Sequence, residues 1–215
     1  MTDFERARTT DQKEVRIDEI MCVAKDMLAI QSFESISMSG IAKELSFSRA
    51  NLYKYFDSKE AIFLTLLSRE ISEFGLSLRS RMCNIEPNPT SFTHFWVSNM
   101  GNAHTMLTML SIAGTILEKN VSDELLLSIK QDMAATFKAQ IVPILSAFFP
   151  GQSIEQNALL AQHLIVTANG IFPWTQVSEH HATLLENNGL GMMVYRFEKD
   201  YRMMVDIIVR AHTVG

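Results

Sequence analysis

One stretch, Ser37 to Lys59 (SMSGIAKELSFSRANLYKYFDSK), limits what this chain can fold into more than any other. Ser37 is positioned to cap a short helix, because its hydroxyl can accept from the free N–H groups of the opening turn. Met38, Ile41, Ala42 and Leu45 then recur at three- and four-residue spacing, which is one helix face. Ser48 is positioned to cap a second helix that holds Leu52 and Tyr53 and closes on Phe56. Asp57, with Glu60 three places on, reads as the capping box of a third. Two short helices at an angle, with polar residues opening the second, make a helix-turn-helix. In that arrangement the start of the second helix can meet base edges in the DNA major groove.

The stretch resembles the N-terminal signature of the TetR family of bacterial transcriptional repressors. The resemblance is carried without a gap by Ile41-Ala42, Phe47-Ser48, Leu52-Tyr53, Tyr55-Phe56 and Ser58-Lys59-Glu60, and extends upstream through Ile17 to Phe33. It covers about the first third of the chain. The rest matches the family in length and helical character only. The resemblance implies an all-α protein with an N-terminal three-helix DNA-binding domain and a C-terminal helical bundle that binds ligand and dimerises. Arg49, Ala50 and Asn51 are its base-edge readers. Arg can bond guanine O6 and N7 together, Asn can pair with adenine N6 and N7, and Ala50 leaves room for close approach or touches a thymine methyl. Tyr53, Tyr55 and Lys59 fall on positions that meet phosphates in the family. Ser37, Ser48 and Lys54 complete the expected DNA-binding set. Tyr53 carries a second reading, as a core aromatic with its hydroxyl at the rim. The chain departs from the family pattern where Ser46 replaces the usual turn glycine; a non-glycine residue at positive φ costs roughly 1–2 kcal/mol.

Charge alone argues mildly against nucleic acid, since the net charge is −5. The first 60 residues, with 9 Lys/Arg and 11 Asp/Glu, do not reverse it, but Ile36–Lys59 carries +2. Cations on one face are what DNA binding needs. Arg6 and Arg8, in a segment expected to be a solvated tail, could reach a minor groove as an arm.

Nine helices are expected in total, with no strand alternation and no repeat. The first runs from about Asp11 to Ile30. A connecting helix, 59–82, is apolar on more than one side, with Gly75 as a possible bend. Domain boundaries fall at 11–58 for DNA binding and 83–215 for ligand binding and dimerisation. The linker NIEPNP (84–89) separates the two parts. Further helices are expected over about 90–104, 105–118, 122–149 with a kink at Pro143, 153–180, and 191–211. Ser153 with Gln156 is a second capping box.

The second half is rich in methionine and aromatic side chains, which suit an adaptable apolar pocket. Trp96, Met100, Met133, Phe137, Phe172 and Trp174 are its expected lining, with His104, His163 and Asn169 as polar contacts. A small hydrophobic or aromatic effector would occupy it and release the DNA. The last two helices resemble the family's dimer interface, which makes Leu159, Leu164, Ile165, Met193, Phe197, Tyr201, Met204 and Ile208 the expected homodimer interface. A two-fold dimer would read a palindromic operator.

An enzyme is the first competing class and is not expected. His180-His181 is adjacent, not four apart; His94 and His104 lack a carboxylate partner; no glycine-rich phosphate loop occurs. A helix-turn-helix serving protein interaction is the second. No cofactor or metal is expected, since Cys22 and Cys83 are too isolated for a zinc site or disulfide framework. The polar N-terminus and the lack of a long apolar run point to a cytoplasmic protein without a membrane partner.

Overall fold

The computed structural model describes the backbone of residues 3–214 and the side chains of residues 12–213. Among them there are helices and turns and no strand. Eleven α-helical segments occur: α1 (Asp3–Ile30), α2 (Met38–Glu44), α3 (Arg49–Leu52), α4 (Lys59–Met82), α5 (Pro89–Gly101), α6 (His104–Ile112), α7 (Asp123–Thr136), α8 (Val142–Phe148), α9 (Ile154–Ile171), α10 (Glu179–Asn187) and α11 (Phe197–Val214). The chain divides into two compact units. The first runs through Arg69 and includes Ile112–Ile129; the second comprises Glu70–Ser111 and Lys130 onward. The stretch 112–129 thus belongs to the unit that holds the N-terminal helices, although it lies beyond the boundary expected from the linker.

Several helix limits differ from expectation for identifiable reasons. α1 begins at Asp3, because no glycine or proline interrupts the chain before Ile30. The side chains of Arg6 and Arg8 lie outside the described residues. α4 is capped by Ser58, not Asp57: the Ser58 hydroxyl accepts from Ala61 N–H at 3.1 Å. α4 runs through Gly75 without a break in its helical assignment. The long helix over 122–149 is two helices joined by a π-helical turn, Phe137–Ile141, with Pro143 in the first turn of α8. Proline has no N–H to give back to the preceding turn, and the wider turn absorbs that loss. α9 ends at Ile171, and the 3₁₀ turn Phe172–Thr175 has Pro173 at its start. α10 is a separate helix, stopped by Gly189 at φ 73°.

The second capping box expected from the sequence holds, unlike the one expected at Asp57. Ser153 accepts from Gln156 N–H at 3.2 Å while Gln156 Oε1 accepts from Ser153 N–H at 2.8 Å. Asn88 caps α5, with Pro89 at its first position where a missing N–H costs nothing.

In the first unit Ile20, Phe33, Ile36, Ile41, Leu52, Ile62 and Phe63 are buried. Phe33 meets Phe63 edge-on at 5.2 Å. In the second unit the core is aromatic. Phe92 stacks on Trp96 at 5.6 Å and meets Phe148 edge-on at 5.2 Å. Burying each phenylalanine ring stabilises by about 1.5–3 kcal/mol before ordering entropy is subtracted.

Candidate nucleic-acid interface and apolar cavity

The helix-turn-helix is built by three local devices. Ser37 Oγ accepts from Gly40 N–H at 3.1 Å and opens α2. Ser46 then takes φ 55°, so the left-handed turn is retained without glycine. Ser46 N–H donates to Lys43 O at 3.1 Å and Phe47 N–H donates to Ala42 O at 2.8 Å, the paired bonds of a Schellman motif. Ser48 Oγ accepts from Asn51 N–H at 3.1 Å and opens α3. Regular α-helix ends at Leu52, and residues 53–56 continue in tighter turns, shorter than the helix expected to Phe56.

Ser37, Ser48, Arg49, Ala50 and Lys54 are exposed, and Asn51 is half-buried. Tyr53 is a surface residue at 39% exposure, so the core reading of that ring does not hold. Its hydroxyl accepts from Arg49 Nη2 at 3.1 Å, and the guanidinium lies 5.4 Å from the ring centre. Arg49 is therefore oriented by Tyr53 before any ligand arrives. Tyr55 is half-buried and stacks on Phe47 at 6.5 Å, with Arg16 over the other ring at 5.6 Å. Lys59 is turned inward. Its Nζ donates to Phe33 O at 2.9 Å and Ile36 O at 2.8 Å and sits 4.2 Å from the Phe33 ring centre. Those bonds make Lys59 a brace between α4 and the loop before α2.

Within the second unit lies a cavity of about 370 Å³. It is lined by Ile71 and Phe74 of α4, Met106 and Leu110 of α6, Met133 and Ala134 of α7, Phe137, Lys138 and Ile141 of the π-helical turn, and Ala158, Gln162 and Ile165 of α9. Of the expected lining, Met133 and Phe137 are there. Trp96, Met100 and Phe172 are sealed in the core instead. His104 packs edge-on against Phe172 at 5.4 Å, and Trp174 is 65% exposed beside Tyr195. Asn169 does not line the cavity, and its Oδ1 is buried without a hydrogen bond. The apolar second side of α4 was the one sequence signal for Ile71 and Phe74. The small residues Ala134 and Ala158 gave none.

The faces expected to meet in a dimer are partly interior. Leu164 and Tyr201 are buried, Ile165 lines the cavity, and Phe197 stacks on Tyr201 at 5.0 Å. Met204 and Ile208 are half-buried, and Met193 is exposed outside α11. Leu159 of the expected set is exposed on α9, as is Val166, and on α11 the exposed apolar pair is Met203 and Ile207, one position before Met204 and Ile208.

Among the described residues no cluster of His, Cys, Asp or Glu could hold a metal ion, and no helix is long and apolar enough to cross a membrane. Cys22 and Cys83 are free and exposed.

Two capped short helices around a Schellman turn, with an exposed polar turn opening the second, define a helix-turn-helix protein. Residues 20–66 match the bacterial regulatory proteins of the tetR family, and residues 69–210 match the tetracyclin repressor-like C-terminal domain. The chain belongs to the TetR family, one of regulatory proteins and not of enzymes. It is 34% identical over 84 residues to an uncharacterized HTH-type transcriptional regulator of Mycobacterium tuberculosis, covering 39% of this chain and 40% of the relative. It is also 34% identical over 77 residues to the HTH-type transcriptional regulator EthR of that organism, covering 36% of this chain and 35% of EthR. The matched stretches thus span well under half of either relative. In fold it is similar to a TetR-family regulator from Mesorhizobium loti (TM-score 0.59, 13% identity, 94% of this chain and 96% of that one). It is also similar to Thermus thermophilus FadR in complex with lauroyl-CoA (TM-score 0.56, 14% identity, 90% and 93%).

Proposed function

We propose that this chain is a ligand-responsive transcriptional repressor of the bacterial cytoplasm. It binds a palindromic operator as a homodimer, and a hydrophobic small molecule in the cavity releases it. The observation that carries this reading is the exposed first turn of α3, where Ser48 fixes the backbone and Tyr53 orients Arg49. Arg49 and Asn51 have the donor and acceptor sets that read guanine and adenine edges. Lys54 supplies a nearby cation.

The coupling runs along α4. Its first residue follows the helix-turn-helix, and Ile71 and Phe74, three and four turns further on, line the cavity. A ligand that displaces Phe74 biases the position of α4. Such a ligand shifts the equilibrium only by its differential affinity for the two shapes. Operator DNA should then weaken ligand binding by the same factor. The lauroyl-CoA bound to the Thermus protein supports an effector with an apolar chain. The stripes Leu159–Val166 and Met203–Ile207 are the surfaces through which two copies pair, since one recognition helix reads too few bases to be selective.

Selection of bound duplexes from a random pool tests the reading. A palindromic consensus is expected, and Arg49→Ala should lose about 1–3 kcal/mol at one base position in each half-site. A uniform loss across sequences, or no enrichment, would instead favour a protein-interaction module. Sedimentation at micromolar concentration should give a dimer that Val166→Lys with Ile207→Lys dissociates.

A further inference from the structure

Met133, Ala134, Phe137, Lys138 and Ile141 recur at the spacing of one helix face, and that face lines the cavity. Lys138 is thus a cation at a position where its neighbours along the stripe are apolar. It lies on the π-helical turn Phe137–Ile141, a local geometry that often marks functional positions. It is exposed, so it belongs to the rim and not the floor. It is the one ionisable side chain among the twelve lining residues, and no carboxylate pairs with it among the described residues. Gln162, also exposed, adds an amide donor to the rim. Inward of these two, the lining is aliphatic, thioether and aromatic.

We propose that the cavity takes a singly charged anionic amphiphile, its head held by Lys138 and Gln162 and its apolar body against Phe74, Met133 and Phe137. This rests on the effector reading above and narrows it. A neutral ligand of the same length would leave the rim ammonium without a partner. A head bearing several phosphates, as in an acyl-CoA, would need more cations than one lysine supplies.

Calorimetric titration of the full chain with octanoate, 1-octanol, octylamine and octanoyl-CoA decides it. Octanoate is expected to bind about fivefold to tenfold tighter than octanol, the range of one partly exposed charge-assisted bond. The advantage should shrink as salt is raised. Lys138→Met should remove the preference of octanoate over octanol, and Lys138→Glu should transfer it to octylamine. Ala158→Phe, with its melting curve checked, should abolish binding of all four. Equal affinity for octanol and octanoate, an unchanged preference in Lys138→Met, tighter octanoyl-CoA, or no binding by any probe each overturns the proposal. Operator affinity measured on the same samples separates the two readings. Octanoate binding that leaves operator affinity untouched supports the site and removes the effector role. Sequence-selective operator binding without octanoate binding removes the site and leaves the DNA reading standing.

Discussion

Trp96 Nε1 donates to the Tyr201 hydroxyl at 2.7 Å, across 105 residues of sequence and wholly inside the second unit. The same hydroxyl donates to Leu164 O at 2.9 Å. One buried oxygen thus satisfies a donor of α5 and an acceptor of α9 from its place on α11. Burial also drives the Tyr201 phenol pKa far above its ordinary value of 10.0, because the phenolate would be stranded without water.

Tyr201→Phe leaves the indole N–H without its partner, and the unfolding free energy should fall by about 1–3 kcal/mol. The pH dependence has a definite sign. Above pH 10 the unfolded tyrosine loses its proton while the folded one keeps it. The folded state then binds more protons, and stability falls as pH rises. Near pH 10 to 12 the slope from this residue should approach about 1.4 kcal/mol per pH unit. Urea unfolding of the wild type and Tyr201→Phe across that range should show the wild type losing more; parallel curves would contradict the burial argument.

Ser46 holds a conformation that glycine adopts without steric cost. Ser46→Gly should stabilise the chain by about 0.5–1 kcal/mol, because relief of roughly 1–2 kcal/mol is partly offset by the greater freedom of glycine when unfolded. An unchanged or lower urea midpoint would show that the turn is not strained. Operator affinity should not change.

Lys59 separates a structural from a DNA-binding role. Lys59→Met removes two bonds to backbone carbonyls and should destabilise by about 1–3 kcal/mol. The salt dependence of operator binding should keep its slope. A lysine that met a phosphate would lower that slope by about one unit on a logarithmic plot.

Gly75 is buried on α4 against Gln140 of the π-helical turn. A Cβ there would fall 2.4 Å from Gln140 Oε1 and 3.0 Å from its Cβ. Gln140 Oε1 is itself buried without a hydrogen bond. Gly75→Ala alone should destabilise, because the amide must move. In a Gln140→Gly background, which removes both the amide and the Cβ, the same substitution should stabilise by up to about 1 kcal/mol, the ordinary helix preference for alanine over glycine. A double-mutant cycle with no sign change would show that the close approach is not what keeps glycine at this position.

Ser37, Ser48, and Ser153 with Gln156 were legible as caps, because a cap is a bond between residues three apart and depends on nothing distant. The helix-turn-helix was legible for the same reason, and so was the all-helical class. The cavity was only half legible: α4 showed two apolar sides, but nothing in the spacing distinguished Phe74, which lines it, from Trp96, which is sealed in the core.

By itself the sequence determined that the chain is helical throughout, which sides of the helices are apolar, and that α3 opens on a polar turn. Tertiary structure alone decided which apolar side faces inward. Met204 and Ile208 were expected outside, yet Met203 and Ile207 are the exposed pair, because α11 carries apolar residues on adjacent stripes and periodicity cannot rank them. It also decided that Lys59 reaches carbonyls 23 and 26 residues earlier in the chain. Such contacts depend on how helices pack, and helix packing is set by shape complementarity between surfaces that no local spacing encodes.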